Sequence, residues 1–445
     1  MSARMPFEPF APERLPDPIA PEPGVDPIYS TIFRAAVTGA DAYGATRLAL
    51  RREGDVLRLG NRFVPADRYR EIAFVAVGRA ALSQTLAALH GLGDALTQGF
   101  IAGPDPIPDA VPFRNVVVPR DAPADRDPGV VAEVLELAQG LGEKDLLLLL
   151  LSPGASRLLT DPPAGFGRGE WVAWLDRIAA HGAGSRGAAR VARAIGRGAG
   201  GGRVAAHTRA ELVALVVDRG DGPETVGGGP AAPVGRPERE EARALLTRLG
   251  VLDGLPAEAR EAVGPGDGPL ASRAGPVEGV RPVAVAVPAD ALREVGEAVS
   301  EKRWRPVLGE LSVDLAAEEA ADRVIARTEE LLRVTPLGPA PGEKGRPPRG
   351  LIVFASTTLA VPDGSDPADA RRRFLRRAAA NLPRRDATIG LLDTGGAPTG
   401  GPAAGGVVAS PRAGRDGRAD PIHPIPMRPG ITDVGLLAAV VIPTP

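Results

Sequence analysis

The chain has 445 residues, a net charge of −2 and no cysteine. This length allows two or three domains and a sizeable core. The composition excludes disulfides, thiolate metal sites and a cysteine nucleophile, and the small net charge excludes a general field that attracts nucleic acid or an anionic membrane. No apolar run is long enough to cross a bilayer, and the N-terminal residues contain no apolar signal core. We therefore expect a cytoplasmic protein without a nucleic-acid or membrane partner.

The N-terminal part of the chain changes character near residue 27. Residues 1–26 are rich in proline, which prevents a regular helix and predicts a surface tail. Apolar residues then recur at helical spacing over residues 28–37 and predict a first helix. Two short apolar segments on either side of Gly60 predict a hairpin.

The first unit of strand, turn and helix begins with the apolar residues 71–77. Gly78 and Arg79 follow this predicted strand, and a helical pattern starts next. A cation at a helix N-terminus opposes the macrodipole and costs a few tenths of a kcal/mol, unless an anion lies nearby. Arg79 is therefore a candidate anion-binding residue, and the alternative is a surface arginine that reaches solvent.

The most distinctive segment is a run of six leucines, residues 146–151. A run without alternation that ends in a turn is typical of a strand buried on both faces. The turn that follows contains Ser152, Gly154 and Ser156, and it leaves the carboxyl end of the strand, where ligands bind in open parallel sheets. Small residues there let a backbone approach an anion. The alternative is an ordinary exit turn.

Two further patterns lie beyond the leucine strand. In the glycine- and arginine-rich residues 182–202, a helix would place Arg193 and three other arginines on one face, as either an anion-facing stripe or a solvated face. Asp218 and Asp221 follow the predicted strand 211–217, and magnesium is held by one or two protein carboxylates together with water. They are candidate metal ligands, although Asp-Gly turns are common without a metal.

The order of the elements predicts the fold class. Strands alternate with helices, which indicates a mostly parallel sheet covered on both faces. Linkers rich in glycine and proline fall near residues 256–276 and 336–348. We predict an α/β protein with a tail (1–26), an N-terminal domain with a mostly parallel, helix-covered sheet (27–275), and a smaller α/β C-terminal domain (281–445).

Several turns resemble those of the glycerate 2-kinases of the MOFRL type, also called the DUF4147 group. Gly78-Arg79-Ala80 is similar to the end of the family's Gly-x-Gly-Lys-Ala turn. Residues 151–158 are similar to Leu-Ser-Gly-Gly-Gly-Ser-Ala-Leu, and residues 217–221 to Ser-Asp-Val-x-Gly-Asp. The resemblance covers most of residues 27–232 and, more weakly, residues 281–445.

This resemblance implies ATP- and magnesium-dependent phosphoryl transfer to the 2-hydroxyl of D-glycerate or a related hydroxy acid. The partner is then a small anionic substrate. The resemblance leaves the choice between a monomer and a homodimer undecided. The implied roles are phosphate neutralisation by Arg79 and Arg371, substrate or phosphate binding by Ser152, Gly154, Ser156 and Arg193, and magnesium binding by Asp218 and Asp221.

The sequence also departs from the family at polar positions. Arg79 replaces the family's lysine, and the two cations are not interchangeable at a positioned phosphate. Pro153 removes one backbone donor from the glycine-rich turn. The alternative is therefore a catalytically degenerate member that acts as a small-anion-binding or protein-interaction module.

Overall fold

The computed structural model describes most of the chain between residues 27 and 443. The described ranges are 27–119, 129–220, 222–265, 282–335, 350–359, 367–384, 386–393, 407–409, 423–424 and 436–443. The predicted proline-rich tail and the candidate ligand Asp221 lie outside them. Within these ranges, no helix is both long enough and apolar enough to cross a membrane.

Helices and strands alternate along the described chain. The helices are α1 (Ile28–Gly39), α2 (Ala42–Ala49), α3 (Ala81–Leu92), α4 (Val130–Gly140), α5 (Ala155–Leu159), α6 (Arg168–Ile178), α7 (Gly184–Ile195), α8 (Arg203–His207), α9 (Arg236–Arg248), α10 (Ala257–Ala262), α11 (Pro288–Glu301), α12 (Ala317–Val334) and α13 (Pro367–Ala380). The strands are β1 (Leu50–Glu53), β2 (Val56–Leu59), β3 (Arg62–Pro65), β4 (Glu71–Val77), β5 (Leu96–Gly103), β6 (Arg114–Val117), β7 (Asp145–Leu151), β8 (Thr160–Asp161), β9 (Arg197–Gly198), β10 (Glu211–Val217), β11 (Val283–Ala286), β12 (Arg305–Leu315), β13 (Gly350–Leu359), β14 (Thr388–Asp393), β15 (Val407–Ala409), β16 (His423–Pro424) and β17 (Leu436–Pro443).

The first sheet has six parallel strands in the order β11-β10-β7-β4-β5-β6. Every residue of β7 is buried. Leu147, Leu149 and Leu151 pack with α4, α5 and α8 on one face. Leu146, Leu148 and Leu150 pack with α3 and with strands β1, β2 and β3 on the other face. The predictions of a parallel, helix-covered sheet and of a leucine strand buried on both faces are therefore confirmed.

The direction of chain progression reverses between β4 and β7. From β4 the chain adds β5 and β6 on one side, and it then returns to place β7, β10 and β11 on the other side. In open α/β sheets, ligands bind outside the carboxyl ends of the strands at such a switch point.

A small antiparallel sheet, β1-β2-β3, packs beside the first sheet. Its β2–β3 pair confirms the hairpin predicted around Gly60. Neither β1 nor α2 was predicted from the sequence pattern.

The second sheet is mixed, with the order β12-β13-β17-β14-β15-β16. The β12–β13 pair is parallel, and the other pairs are antiparallel. Helices α12 and α13 share a hydrophobic core with this sheet. The C-terminal part is therefore also α/β, as predicted.

The two sheets share a core through α1 and α11. This cluster contains Val217 and Ala286 of the first sheet together with Leu392 and Val441 of the second. The hydroxyls of Tyr29 on α1 and Thr388 on β14 lie 2.9 Å apart. β11 also follows the predicted linker near residue 276 but pairs with β10. The first sheet thus extends beyond that linker.

Candidate functional site

Four adjacent strands of the first sheet end at the same edge. The register pairs Val77 with Leu151, Leu151 with Val216, and Val217 with Ala286. Neighbouring strands lie about 4.8 Å apart. The turns after β4, β7 and β10 therefore lie side by side at one edge of the sheet.

The turn from β4 to α3 uses all of its backbone donors inside the protein. Three successive N–H groups donate to neighbouring segments: Gly78 to the Ala102 carbonyl oxygen (3.0 Å), Arg79 to the Pro153 carbonyl oxygen (2.9 Å) and Ala80 to Ser152 Oγ (3.0 Å). These amides are not available to an anion. The guanidinium of Arg79 is therefore the group through which this turn can bind one.

Glycine is required at position 78 because two turns approach there. Gly78 has φ +120°, a backbone conformation that residues other than glycine rarely adopt. A Cβ at this position would overlap both the carbonyl oxygen and Oγ of Ser152. The absence of a side chain at Gly78 thus allows the β4 and β7 exit turns to pack together.

The turn from β7 to α5 brings three predicted residues together with Arg79. Ser152 is fully buried, and its hydroxyl lies 3.4 Å from the Val77 carbonyl oxygen. Gly154 is exposed with φ +91°, and a Cβ there would lie 3.3 Å from Arg79 Cγ and 3.7 Å from Arg79 Nε. Ser156 is half-buried in the first turn of α5. The Arg79 side chain therefore lies across Gly154, between the two strands where the sheet order reverses.

Asp218 closes its own loop at the end of β10. Its side chain is buried, Oδ1 accepts the Gly220 N–H (3.0 Å), and Oδ2 accepts the Gly222 N–H (3.2 Å). In the part of the chain that the structure describes, no three histidine or acidic side chains form a metal-binding group. Asp218 can therefore offer one carboxylate to a cation.

Arg193 lies inside the protein on α7, with a side chain only 1% exposed. Its Nε is 2.7 Å from Glu238 Oε1, and its Nη2 donates to Glu238 Oε2 (3.0 Å) and to the Ala232 carbonyl oxygen (3.3 Å). Its guanidinium also occupies the space where Gly229 lacks a Cβ. Arg193 therefore anchors α7 to α9 and to the Gly229 loop, and its expected contact with phosphate stays a prediction.

The other arginines of the predicted stripe also contact the protein itself. Arg186 donates to the Gly220 carbonyl oxygen in the Asp218 loop. Arg190 lies 3.0 Å from Glu241, and Arg197 donates to Glu258 (2.7 Å). These three side chains are partly exposed, as the solvated-face alternative expected, and they also pair with α9, α10 and the β10 exit loop.

Arg371 lies on α13, among the helices of the second sheet. It is 9% exposed, and α13 packs on α12 and on β14. The structure therefore groups Arg79, Ser152, Gly154 and Ser156 at one edge and places Arg371 on a separate layer. Its expected role in neutralising phosphate stays a prediction.

Two site contacts were missed in the sequence. Pro153 was noted only for the backbone donor that it removes, yet its carbonyl oxygen accepts the Arg79 N–H. The Ser152 hydroxyl was expected to face an anion, yet it accepts the N–H of Ala80, 72 positions away in the chain. No local pattern signals such a distant pair.

The fold and these turns define a class, an α/β protein with a cationic side chain at the switch point of a parallel sheet. The chain belongs to the family DUF4147, described as a domain of unknown function, whose profile matches residues 28–264. This membership confirms the resemblance predicted from the turns.

Several relatives carry a named activity. The chain is 29% identical over 247 residues to a glycerate kinase of Danio rerio, covering 52% of this chain and 49% of that protein. It is 30% identical over 204 residues to a glycerate kinase of Homo sapiens, covering 42% of this chain and 39% of that protein. The chain thus spans about half the length of the curated relatives it matches.

Two solved structures share the fold. A glycerate kinase from Thermotoga maritima matches with a TM-score of 0.65 at 20% identity, covering 93% of this chain and 98% of that chain. A protein from Pyrococcus horikoshii OT3 matches with a TM-score of 0.64 at 16% identity, covering 94% and 98%. These likenesses extend through both sheets and show a shared fold.

Proposed function

We propose that this protein is a glycerate kinase that transfers a phosphoryl group from ATP to the 2-hydroxyl of D-glycerate or a related hydroxy acid. The reaction takes place outside the carboxyl ends of β4 and β7. The observation that carries the proposal is the position of Arg79, whose side chain lies across Gly154 at the switch point. The names of the relatives support the substrate class. We also assign the C-terminal part to the MOFRL type and the protein to the cytoplasm.

The chemistry of phosphoryl transfer suits this edge. Such reactions depend on positioning and on charge stabilisation more than on covalent catalysis. The backbone donors of the β4 exit turn are already used, so Arg79 supplies the positive charge. A guanidinium can bind two phosphate oxygens at once, which a lysine ammonium cannot do with the same geometry. Gly154 has no side chain to fill the space beside the Arg79 guanidinium. Its N–H is the proposed second donor to the phosphate.

Asp218 fits magnesium as one protein ligand. Its two carboxylate oxygens accept the N–H groups of Gly220 and Gly222, and an ionised carboxylate has about four lone-pair positions in total. Magnesium is commonly held by one or two carboxylates, with substrate phosphates and water completing its shell. When bound, the ion would neutralise phosphate charge. Asp221 is the proposed second carboxylate, and contacts of Ser156 and Arg371 with phosphate rest on the sequence alone.

The test is a direct assay of the purified protein with ATP, magnesium and D-glycerate. We expect ADP to form only when glycerate is present, and ³¹P NMR to show a new phosphate monoester on the 2-hydroxyl. Arg79→Ala is the test variant, and Arg70→Ala, at the opposite end of β4, is the matched control. Absence of a phosphoester with D-glycerate and with other 2-hydroxy acids would refute the proposal. A rise in Tm with glycerate alone would then indicate an anion-binding module.

A further inference from the structure

One buried hydroxyl joins the two exit turns at the switch point. Ser152 follows β7, and its side chain is completely inaccessible to solvent. Its Oγ accepts the N–H of Ala80 at 3.0 Å and donates toward the Val77 carbonyl oxygen at 3.4 Å. A serine hydroxyl has one hydrogen to donate, so this geometry directs it to the backbone of the neighbouring turn.

The Ala80 amide is one that α3 cannot satisfy by itself. The first N–H groups of a helix have no intrahelical acceptor and need a partner from elsewhere. Ala80 is the N-cap of α3 and has no side chain able to cap it. Ser152 supplies the acceptor from a different strand. The hydroxyl thus accepts the N–H of the N-cap residue itself, for which α3 provides no acceptor.

This contact fixes the residue that precedes Ala80. The Arg79 N–H donates to the Pro153 carbonyl oxygen at 2.9 Å, and the next N–H donates to Ser152 Oγ. Two successive amides are therefore held by two successive residues of the β7 exit turn. Gly78 makes this close approach sterically allowed. The Cα of Arg79 is held between these anchors, while its side chain extends over Gly154.

We propose that Ser152 is a positioning residue that holds Arg79 in its productive orientation, in place of the direct phosphate contact expected from the sequence. The inference rests on the proposed kinase function. A preorganised charge stabilises a transition state only when its position is fixed in advance. Displacement of such a group by about 1 Å can lower the rate roughly 100-fold. Loss of the Ser152 hydroxyl frees the Ala80 amide, and the start of α3 shifts together with Arg79.

A double-mutant cycle separates positioning from direct binding. Ser152→Ala should lower kcat about 10- to 100-fold and leave KM for D-glycerate and ATP nearly unchanged. Arg79→Ala should lower kcat roughly 100- to 1,000-fold, and the double variant should match Arg79→Ala. Ser152 then has nothing left to position. An equal loss from Ser152→Ala in both backgrounds would overturn the inference, because the hydroxyl would act independently of Arg79.

Thr85 provides a matched control for loss of a buried hydroxyl. It is also fully buried, lies on the same helix α3, and donates to the Ala81 carbonyl oxygen at 2.8 Å. Thr85→Ala should lower Tm by a similar amount and leave kcat unchanged. An equal loss of kcat in both variants would mean that general loosening of α3 is responsible, and the inference would be wrong. If Ser152→Ala does not fold, Ser152→Cys fills the same space with a weaker acceptor and takes its place in the cycle.

Hydrogen exchange tests the contact without any assay of activity. In Ser152→Ala, the amides of Arg79 and Ala80 should exchange faster than in the unaltered protein, while the amides of β10 should not change. Unchanged exchange at Arg79 and Ala80 would refute the anchor. If the unaltered protein transfers no phosphate, the proposed function fails, and the exchange result still decides whether Ser152 fixes the Arg79 turn.

Discussion

The two ends of strand β4 carry arginines with different surroundings. Arg70 precedes the strand and donates to the buried Asp145 through Nε (3.1 Å) and Nη2 (2.7 Å). Arg79 follows the strand, and its backbone is held by the β7 exit turn while its side chain lies across Gly154. The amino end therefore has a built-in carboxylate partner for its arginine. At the carboxyl end, the backbone of the arginine is fixed by the neighbouring turn and its side chain lies beside a glycine.

The same contrast extends along the sheet. At the amino edge, Glu211 at the start of β10 pairs with Arg62 and with Arg68 (2.9 Å). At the carboxyl edge, the exit turns are joined chiefly by backbone hydrogen bonds. Ion pairs therefore stabilise the amino edge of the sheet, whereas backbone hydrogen bonds join the exit turns at the carboxyl edge.

The largest effect is expected from Gly78→Ala. The added methyl group would overlap Ser152, and the positive φ adds strain. We expect a loss of roughly 2–4 kcal/mol in the free energy of unfolding, because backbone strain and overpacking act together. Activity should fall by more than about 100-fold as the two turns separate. The control is Gly54→Ala, since Gly54 has φ +60° with no neighbouring atom within 4 Å. Chemical denaturation and turnover measure both, and equal effects of the two variants would contradict the account.

Arg193→Ala tests whether this predicted site residue stabilises the fold instead of binding phosphate. Removal of its guanidinium leaves Glu238 half-buried without its partner, so we expect a loss of about 2 kcal/mol in the free energy of unfolding and an unchanged kcat. Arg190→Ala is the matched control on the same helix. Its pair with Glu241 is exposed, and its removal should cost less than about 0.5 kcal/mol. A selective loss of kcat in Arg193→Ala would place Arg193 in the phosphate site instead.

Asp145 tests the amino edge through pH. Burial alone would raise the pKa of Asp145, but the hydrogen bonds from Arg70 and from the Gly142 N–H hold that pKa below its usual value of 3.8. Its contribution is therefore present above pH 3.8 and is lost as the pH falls through the lowered folded-state pKa. Asp145→Asn should lower the free energy of unfolding by roughly 1–2 kcal/mol at pH 7 without changing kcat. The difference from the unaltered protein should shrink below pH 4, and a difference that grows on acidification would contradict this assignment.

Asp322 on α12 provides the exposed counterpart to Asp145. Its pKa is also lowered by a hydrogen bond with an arginine, Arg377. Its side chain is 48% exposed, so salt should screen the pair. Asp322→Asn should have a smaller effect on stability than Asp145→Asn, and that effect should weaken further in high salt.

Arg79→Lys tests whether the geometry of the cation matters as well as its charge. It keeps the charge and removes the two-point fork, so we expect kcat to fall about tenfold without a change in Tm. Steady-state kinetics measures this difference. An unchanged kcat would show that Arg79 acts as a point charge only.

Part of this arrangement was predictable from local patterns. The leucines of β7 show no alternation, so burial of both strand faces followed directly, and with it the edge at which the exit turns meet. The partners of Ser152 and Arg193 were not predictable, because Ala80 and Glu238 are brought near them by the tertiary fold. The length of strand β12 (Arg305–Leu315) was not predictable either, because its pairing with β13 determines it. The layer on which Arg371 lies likewise depends on sheet order, which the local sequence does not encode.

The most direct test compares Arg79→Ala with Arg70→Ala, the two ends of one strand. Glycerate-dependent phosphoryl transfer from ATP and the Tm should be measured for both variants under the same conditions. We expect Arg79→Ala to lower kcat/KM roughly 100- to 1,000-fold with an unchanged Tm. We expect Arg70→Ala to lower the Tm with an unchanged kcat/KM, because it leaves the buried Asp145 without its partner. Full turnover in Arg79→Ala, or an equal loss of turnover in both variants, would contradict the assignment of function to the carboxyl end of β4.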